Sequence, residues 1–89
     1  MYHILVVDDE KAIRESLKIY LEEEGYQVTL CENGKQALKE VQLREVHLIL
    51  LDVMMPEMDG MEAARRIRRV SPVPILFLTA KSQSIDKIM

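Results

Sequence analysis

Four short runs along the chain are rich in apolar residues, and each is predicted to form a β-strand. The first covers residues 4–7, where isoleucine, leucine and two valines stand directly before Asp8. Three more runs, at residues 26–31, 47–51 and 73–78, are separated by polar stretches that contain glycine or proline. The pattern therefore predicts four strands, each followed by a polar residue.

The interval after the first strand has the period of an amphipathic α-helix. Apolar residues recur there at positions i, i+4, i+7 and i+8, which places them on one helical face. These residues are Ile13, Leu17, Tyr20 and Leu21. Gly25 then supplies the residue type that most readily ends a helix in a left-handed conformation. The first helix is therefore predicted over residues 11–24.

Capping residues mark the start of two further helices. Asn33 is a suitable N-cap for the second helix, and Asp59 with Glu62 has the spacing of a capping box at the start of the third. Residues 53–58, which precede the third helix, contain Pro56 and are predicted to form a loop. The residues expected to face the core are Ala37, Leu38 and Val41 in the second helix and Met61, Ala64 and Ile67 in the third.

Strands and helices alternate as βαβαβαβ, with a further helix expected from about residue 82. Such alternation predicts one α/β domain with a parallel sheet, right-handed crossovers and helices on both faces. Ligands of open parallel sheets bind beyond the carboxyl ends of the strands. Asp8 and Asp9 follow the first strand, Asp52 the third and Thr79 the fourth. We therefore expect these four side chains at one edge of the sheet.

Three aspartates at one edge would repel one another unless a cation neutralised them. Oxygen ligands without histidine or cysteine favour a hard ion, and Mg²⁺ accepts a few carboxylates while it keeps several waters. A magnesium ion can also bridge to a phosphoryl group, with Asp52 as the nucleophile and the Thr79 hydroxyl as a donor to a phosphoryl oxygen. A simpler interpretation of Asp8 and Asp9 is that they cap the first helix.

Charge and composition argue against several other classes of function. The net charge is −3, from 12 basic and 15 acidic residues. A negatively charged chain is not attracted to the phosphate backbone, so this segment is not expected to bind nucleic acid. No apolar run is long enough to span a membrane, and the single cysteine, Cys31, allows no intrachain disulfide. A cytoplasmic location without a membrane partner is predicted. Four arginines form either a solvated helix face or a docking surface for a partner: Arg65, Arg66, Arg68 and Arg69.

Three segments resemble the receiver domain of bacterial two-component response regulators. They are VVDDE at residues 6–10, DVMMPEMDG at residues 52–60 and PILFLTA at residues 74–80. The resemblance extends in order over essentially the whole chain, and the acidic pair combined with the pattern D-x-x-x-P-x-x-D-G is highly specific. It implies a flavodoxin-like, doubly wound parallel sheet with strand order 2-1-3-4.

The resemblance also implies a role for each site residue. Asp52 would accept a phosphoryl group from a phosphohistidine of a sensor histidine kinase, with Mg²⁺ as the essential cofactor. Asp9 would bind the ion directly, Asp8 mainly through water, Asp52 through its carboxylate and Met54 through its backbone carbonyl. Thr79 would be the switch hydroxyl that turns toward the phosphoryl group. The protein would then be a phosphorylation-controlled signalling switch that assists its own phosphoryl transfer, and not an enzyme.

Two parts of the family pattern are missing from these 89 residues. Receiver domains carry a fifth strand that ends in a lysine, followed by a last helix, and Lys81 is too close to Thr79 to replace that lysine. We therefore expect residues 1–89 to be a receiver domain that is incomplete at its C-terminus, with impaired phosphorylation. The apolar fourth strand would lie at the sheet edge and favour homo-oligomers.

Two alternative functions stay open. One is a non-phosphorylated interaction or self-assembly module, which the missing strand and lysine favour and the intact acidic trio disfavours. The other is a magnesium-dependent phosphatase that forms an aspartyl-phosphate. Such an enzyme would have a second acid two residues after its nucleophile, where this chain has Met54.

Overall fold

Four parallel strands form the centre of the molecule, in a computed structural model that describes residues 1–78. The strands are β1 (His3–Val7), β2 (Gln27–Cys31), β3 (Leu48–Asp52) and β4 (Ile75–Leu78). Their order is β2-β1-β3-β4, and every neighbouring pair is parallel. The predicted doubly wound sheet of order 2-1-3-4 is confirmed. The helix expected from about residue 82 lies outside the described residues.

Three helices connect the strands. They are α1 (Lys11–Glu23), α2 (Gly34–Leu43) and α3 (Gly60–Arg68). The predicted caps of α2 and α3 are confirmed, because Asn33 Oδ1 accepts the Gln36 N–H and Asp59 Oδ1 accepts the Glu62 N–H, both at 2.9 Å. Gly25 follows α1 with φ +94°, a left-handed value that other residues adopt only with strain. None of the helices within residues 1–78 has the length and apolar character needed to cross a bilayer.

The apolar side chains of the strands divide between two cores, one on each face of the sheet. On β1, Leu5 and Val7 pack with α2 and α3, whereas Ile4 and Val6 face α1. Successive residues of a strand point to opposite faces. Because helices cover both faces of β1, its sequence is continuously apolar and does not alternate.

The core face of α3 differs from the prediction at one position. Met61, which was predicted to be buried, is 50% exposed, and Ala63 is buried beside Ile67 in its place. A Cβ atom built on Gly34 would stand 2.9 Å from the Cβ of Ala63, so α2 and α3 approach each other closely here. This contact has no room for a methionine side chain, and α3 therefore turns its alanine inward.

The fourth strand begins two residues later than predicted. Val73 is buried in the core, as its apolar character suggests, but β4 starts only at Ile75. Pro74 has no N–H to donate to a sheet ladder, although its carbonyl accepts the Ile49 N–H at 3.0 Å. The proline therefore sets the start of the regular strand.

Candidate functional site

Three carboxylates meet where β1 and β3 end side by side. Asp8 and Asp9 follow β1, and Asp52 is the last residue of β3. One oxygen of each carboxylate lies within 4.8 Å of an oxygen of each of the other two. Asp8 and Asp52 are almost completely buried, whereas Asp9 is exposed, so the cluster opens to solvent at Asp9. The structure thus brings together the three aspartates that were expected at one edge of the sheet.

Hydrogen bonds of the local backbone hold Asp8 in place. Its N–H donates to the carbonyl of Cys31 at 3.1 Å, which ties the end of β1 to the end of β2. Its Oδ1 accepts the N–H of Glu10 at 2.8 Å. Glu10 is itself the N-cap of α1, and its side chain makes no capping hydrogen bond. The N-cap position of α1 is therefore Glu10 and not Asp8 or Asp9. Asp8 instead closes the turn that precedes the helix.

The start of α3 holds the backbone of Asp52. The N–H of Gly60 donates to the carbonyl of Val53 at 3.0 Å. A Cβ atom built on Gly60 would stand 2.2 Å from the carbonyl oxygen of Asp52 and 2.8 Å from Cα of Val53, distances that real atoms do not reach. Only glycine at this position allows α3 to begin so close to the end of β3. The Asp52 carboxylate is oriented in turn by the N–H of Met54, which donates to Oδ1 at 3.0 Å.

The loop between β3 and α3 also packs against α2. A Cβ atom on Gly34 would stand 2.8 Å from Sδ of Met58, so the loop lies directly on the first residue of α2. Met55 is buried in the core, and Met58 packs against the same core. Glu57 has φ +66°, a left-handed value that is uncommon for a residue with a side chain. The loop that follows Asp52 is therefore closely fitted between two helices.

Thr79, the fourth predicted site residue, lies outside the described residues, as do Ala80 and Lys81. His3 begins β1 and His47 directly precedes β3, so both lie at the opposite, amino end of the strands. They do not meet the carboxylates. Of the predicted set, the part of the chain that is described brings Asp8, Asp9 and Asp52 together at the carboxyl end, with Met54 hydrogen-bonded to Asp52.

Arg14 was not among the predicted site residues, although it contacts the site. Arg14 is buried in α1, and its Nη1 donates to the backbone carbonyl of Asp8 at 2.7 Å. Arg14 precedes Leu17 and Leu21 by three and seven residues, the spacing of one helical face. A cation on the inward face of an amphipathic helix is the signal that could have identified it.

Cys31 ends β2 beside Asp8, and its thiol is buried and free. Burial raises the pKa of this thiol to about 12, and the negative charge of Glu40 adds to the effect, while the positive charge of Arg14 opposes it. A thiol with this pKa is almost entirely protonated at neutral pH and is a poor nucleophile. Cys31 is therefore a structural residue at the edge of the site.

The chemistry of the donor set fits a magnesium ion. The three converging groups are all carboxylates, and a hard divalent cation prefers oxygen ligands. The exposed position of Asp9 leaves a side of the cluster from which water can complete an octahedral shell. The same donors would suit soft metals such as Cu(I) poorly.

Comparison with known proteins agrees with this geometry. The family profile described as the response regulator receiver domain matches residues 4–89. The transcriptional regulatory protein ResD of Bacillus subtilis is 46% identical over 85 residues, which are 96% of this chain and 35% of ResD. The chain thus spans about a third of the length of this curated relative.

Two solved structures contain the response regulator TrrA of Thermotoga maritima. In the complex of TrrA with Mg²⁺-BeF, TrrA is 47% identical to this chain, with a TM-score of 0.84 over 92% of this chain and 72% of the other. In the complex of TrrA with the histidine kinase ThkA, the TM-score is 0.85 at 45% identity, over 96% and 74% of the two chains. Receiver domains of this family bind Mg²⁺ in an acidic pocket and act as phosphorylation switches. This chain belongs to the response regulator receiver domain family.

Proposed function

We propose that this chain accepts a phosphoryl group on Asp52, with Mg²⁺ bound by the acidic cluster. The observation that carries the proposal is the convergence of three carboxylates at the ends of β1 and β3, within 4.8 Å of one another. Like charges crowded in this way destabilise the folded chain unless a cation binds them. The arrangement is therefore suited to a metal-dependent function.

The proposed ligands are those that the resemblance to receiver domains implies. Asp9, which is exposed, would bind the ion directly, and Asp8, whose Oδ1 accepts the Glu10 N–H, would act mainly through water. Asp52 would contribute its carboxylate, and Met54 its backbone carbonyl. Thr79, the residue after β4, would supply the switch hydroxyl. A bound Mg²⁺ would offset the charge of the phosphoryl oxygens during transfer.

Asp52 is the proposed nucleophile. One of its carboxylate oxygens would attack the phosphorus of a phosphohistidine, so that a P–O bond forms while the P–N bond breaks and the imidazole nitrogen keeps the electron pair. The hydrogen bond from the Met54 N–H to Oδ1 fixes the orientation of the carboxylate for this attack. The chain would then assist its own phosphorylation without turning over a substrate.

The proposed donor is a sensor histidine kinase in the cytoplasm. The complex of ThkA with TrrA, a relative 45% identical to this chain, supports a kinase as partner. Modification of Asp52 would change the local charge and reposition Thr79, so that the surface presented to an output partner changes.

Incubation of the 89-residue chain with acetyl phosphate and MgCl₂ tests the proposal. Intact-mass measurement should show one added phosphoryl group, which is absent in excess EDTA and absent in Asp52→Asn. Asp59→Asn is the matched control, because it makes the same substitution at an exposed aspartate that caps α3. Labelling of Asp52→Asn at the wild-type level would overturn the proposal. A wild type that is neither labelled nor able to bind beryllofluoride would also overturn it.

A further inference from the structure

The side chain of Arg14 extends from α1 to the backbone of Asp8, a residue of the acidic cluster. Arg14 lies in the first turn of α1 and is only 9% exposed, and its Nη1 donates to the backbone carbonyl of Asp8 at 2.7 Å. Its own N–H bonds to the carbonyl of Glu10 within the helix. The guanidinium is thus fixed between α1 and the end of β1, at the backbone of Asp8.

The charge of Arg14 acts over this end of the sheet. Guanidinium groups stay protonated in proteins, so Arg14 supplies a permanent positive charge. Buried charges are costly unless an opposite charge is near. Asp8 and Asp52 are buried charges of one sign, and Arg14 is a buried charge of the other.

We propose that Arg14 is a positioning residue of the acidic cluster that acts as a built-in counter-cation when no metal is bound. It offsets the repulsion among Asp8, Asp9 and Asp52, and its hydrogen bond keeps the Asp8 backbone where the metal site needs it. A divalent cation takes over the first of these tasks and is repelled by the guanidinium. Arg14 would therefore stabilise the metal-free chain and weaken metal binding. This inference rests on the proposed metal site.

Two substitutions separate the charge of Arg14 from its hydrogen bond. Arg14→Gln keeps an N–H donor and removes the charge, whereas Arg14→Lys keeps the charge on a flexible stem. Lys18→Gln is the control, because it removes the same charge from α1 one turn farther from the cluster. Urea unfolding is measured for all four proteins in EDTA and in saturating MgCl₂ at one ionic strength, and Mg²⁺ affinity is measured by calorimetry.

The expected result is a difference between the two conditions. Arg14→Gln should lose much more stability in EDTA than in MgCl₂, and by linkage it should bind Mg²⁺ more tightly, by roughly tenfold. Arg14→Lys and Lys18→Gln should keep the wild-type dependence on Mg²⁺. Folding of Arg14→Gln only in the presence of Mg²⁺ would also support the inference.

Three outcomes would overturn it. The first is that Arg14→Gln loses the same amount of stability in EDTA and in MgCl₂. The second is that Arg14→Lys behaves like Arg14→Gln. The third is that Arg14→Gln folds in neither condition. Each would mean that the hydrogen bond or the packing of Arg14 matters and its charge does not. Urea unfolding of the wild type tests the metal site separately. If Mg²⁺ does not stabilise the wild type, the proposed metal site itself is refuted.

Discussion

The polar residues at the two ends of the sheet differ in their interactions. At the amino end, His3 is buried, its Nε2 lies 2.7 Å from the Thr29 hydroxyl, and its Nδ1 lies 3.2 Å from the carbonyl of Glu45. A carbonyl only accepts, so in the neutral ring Nδ1 carries the proton and Nε2 accepts from the hydroxyl. The N–H of His3 donates to Nδ1 of His47 at 3.0 Å. Donors and acceptors match at this end.

At the carboxyl end, three groups of one charge converge. Asp8, Asp9 and Asp52 lie within 4.8 Å of one another, and the backbone holds two of them rigidly. Matched hydrogen bonds at the amino end stabilise the fold, while crowded carboxylates at the other end oppose it. The difference indicates that the amino end serves stability and the carboxyl end serves binding. Removal of a carboxylate at the carboxyl end should therefore have the opposite effect on stability to removal of a hydrogen-bond partner at the amino end.

The largest effect is expected from Gly60→Ala. The new Cβ would collide with the carbonyl of Asp52, so the variant should lose about 2 kcal/mol of stability or more and accept phosphoryl groups at least about tenfold more slowly. Gly25→Ala is the control, since its Cβ meets nothing within 4 Å and only its φ of +94° is strained. Gly25→Ala should lose about 1 kcal/mol of stability without a change in the phosphorylation rate. Equal rates in the two variants would contradict the role of the Gly60 contact.

At the amino end, His3→Leu should destabilise the chain by about 1–3 kcal/mol, because Thr29 and the Glu45 carbonyl lose their partner. The double variant His3→Leu with Thr29→Val should recover part of this loss, since both polar partners are then replaced by apolar groups. Urea unfolding measures both. Mg²⁺ affinity should stay at the wild-type value, and a weakened affinity would show that the two ends are coupled.

In the absence of metal, Asp9→Asn should change stability in the opposite direction to His3→Leu. Removal of one of three like charges should raise stability in EDTA by about 1 kcal/mol, while Mg²⁺ affinity falls by an order of magnitude or more. Urea unfolding in EDTA and calorimetric titration with MgCl₂ measure the two effects. A less stable Asp9→Asn in EDTA would refute the view that the carboxylates repel one another in the folded chain.

The smallest effect concerns a surface cluster on α3, which lies apart from both ends. Hydrogen bonds from Arg65 and Arg66 lower the pKa of Glu62 below its usual value. A lowered folded-state pKa gives stability that is present above the ordinary glutamate pKa and is lost as the pH falls through the folded value. The stability difference between wild type and Glu62→Gln should therefore shrink on acidification below about pH 4.5 and in high salt. A difference that grows in acid would contradict the assignment.

Local signals in the sequence predicted most of the fold. The continuous apolar run of β1, the caps Asn33 and Asp59 and the polar residues after each strand are short-range features, and each was confirmed where the structure describes it. The strand ends also predicted that Asp8, Asp9 and Asp52 would meet, because parallel strands end at one edge.

Contacts between distant segments were not predictable in the same way. Ala63 faces the core in place of Met61 because α3 lies close to Gly34 of α2, which no local pattern reveals. The buried hydrogen bond of Arg14 and the pairing of His3 with Thr29 likewise depend on how separate elements pack. These features determine how tightly the site is held, whereas the local pattern determines where it lies.

The buried thiol of Cys31 offers a way to follow the site without any added label. Alkylating reagents react with thiolates, so a protonated and enclosed thiol is modified only in molecules whose β2 has opened. The rate of alkylation, read by mass spectrometry, therefore reports how often this corner of the sheet opens. The N–H of Asp8 donates a hydrogen bond to the Cys31 carbonyl. A lower alkylation rate in the presence of Mg²⁺ would therefore show that an occupied metal site reduces the opening of this corner.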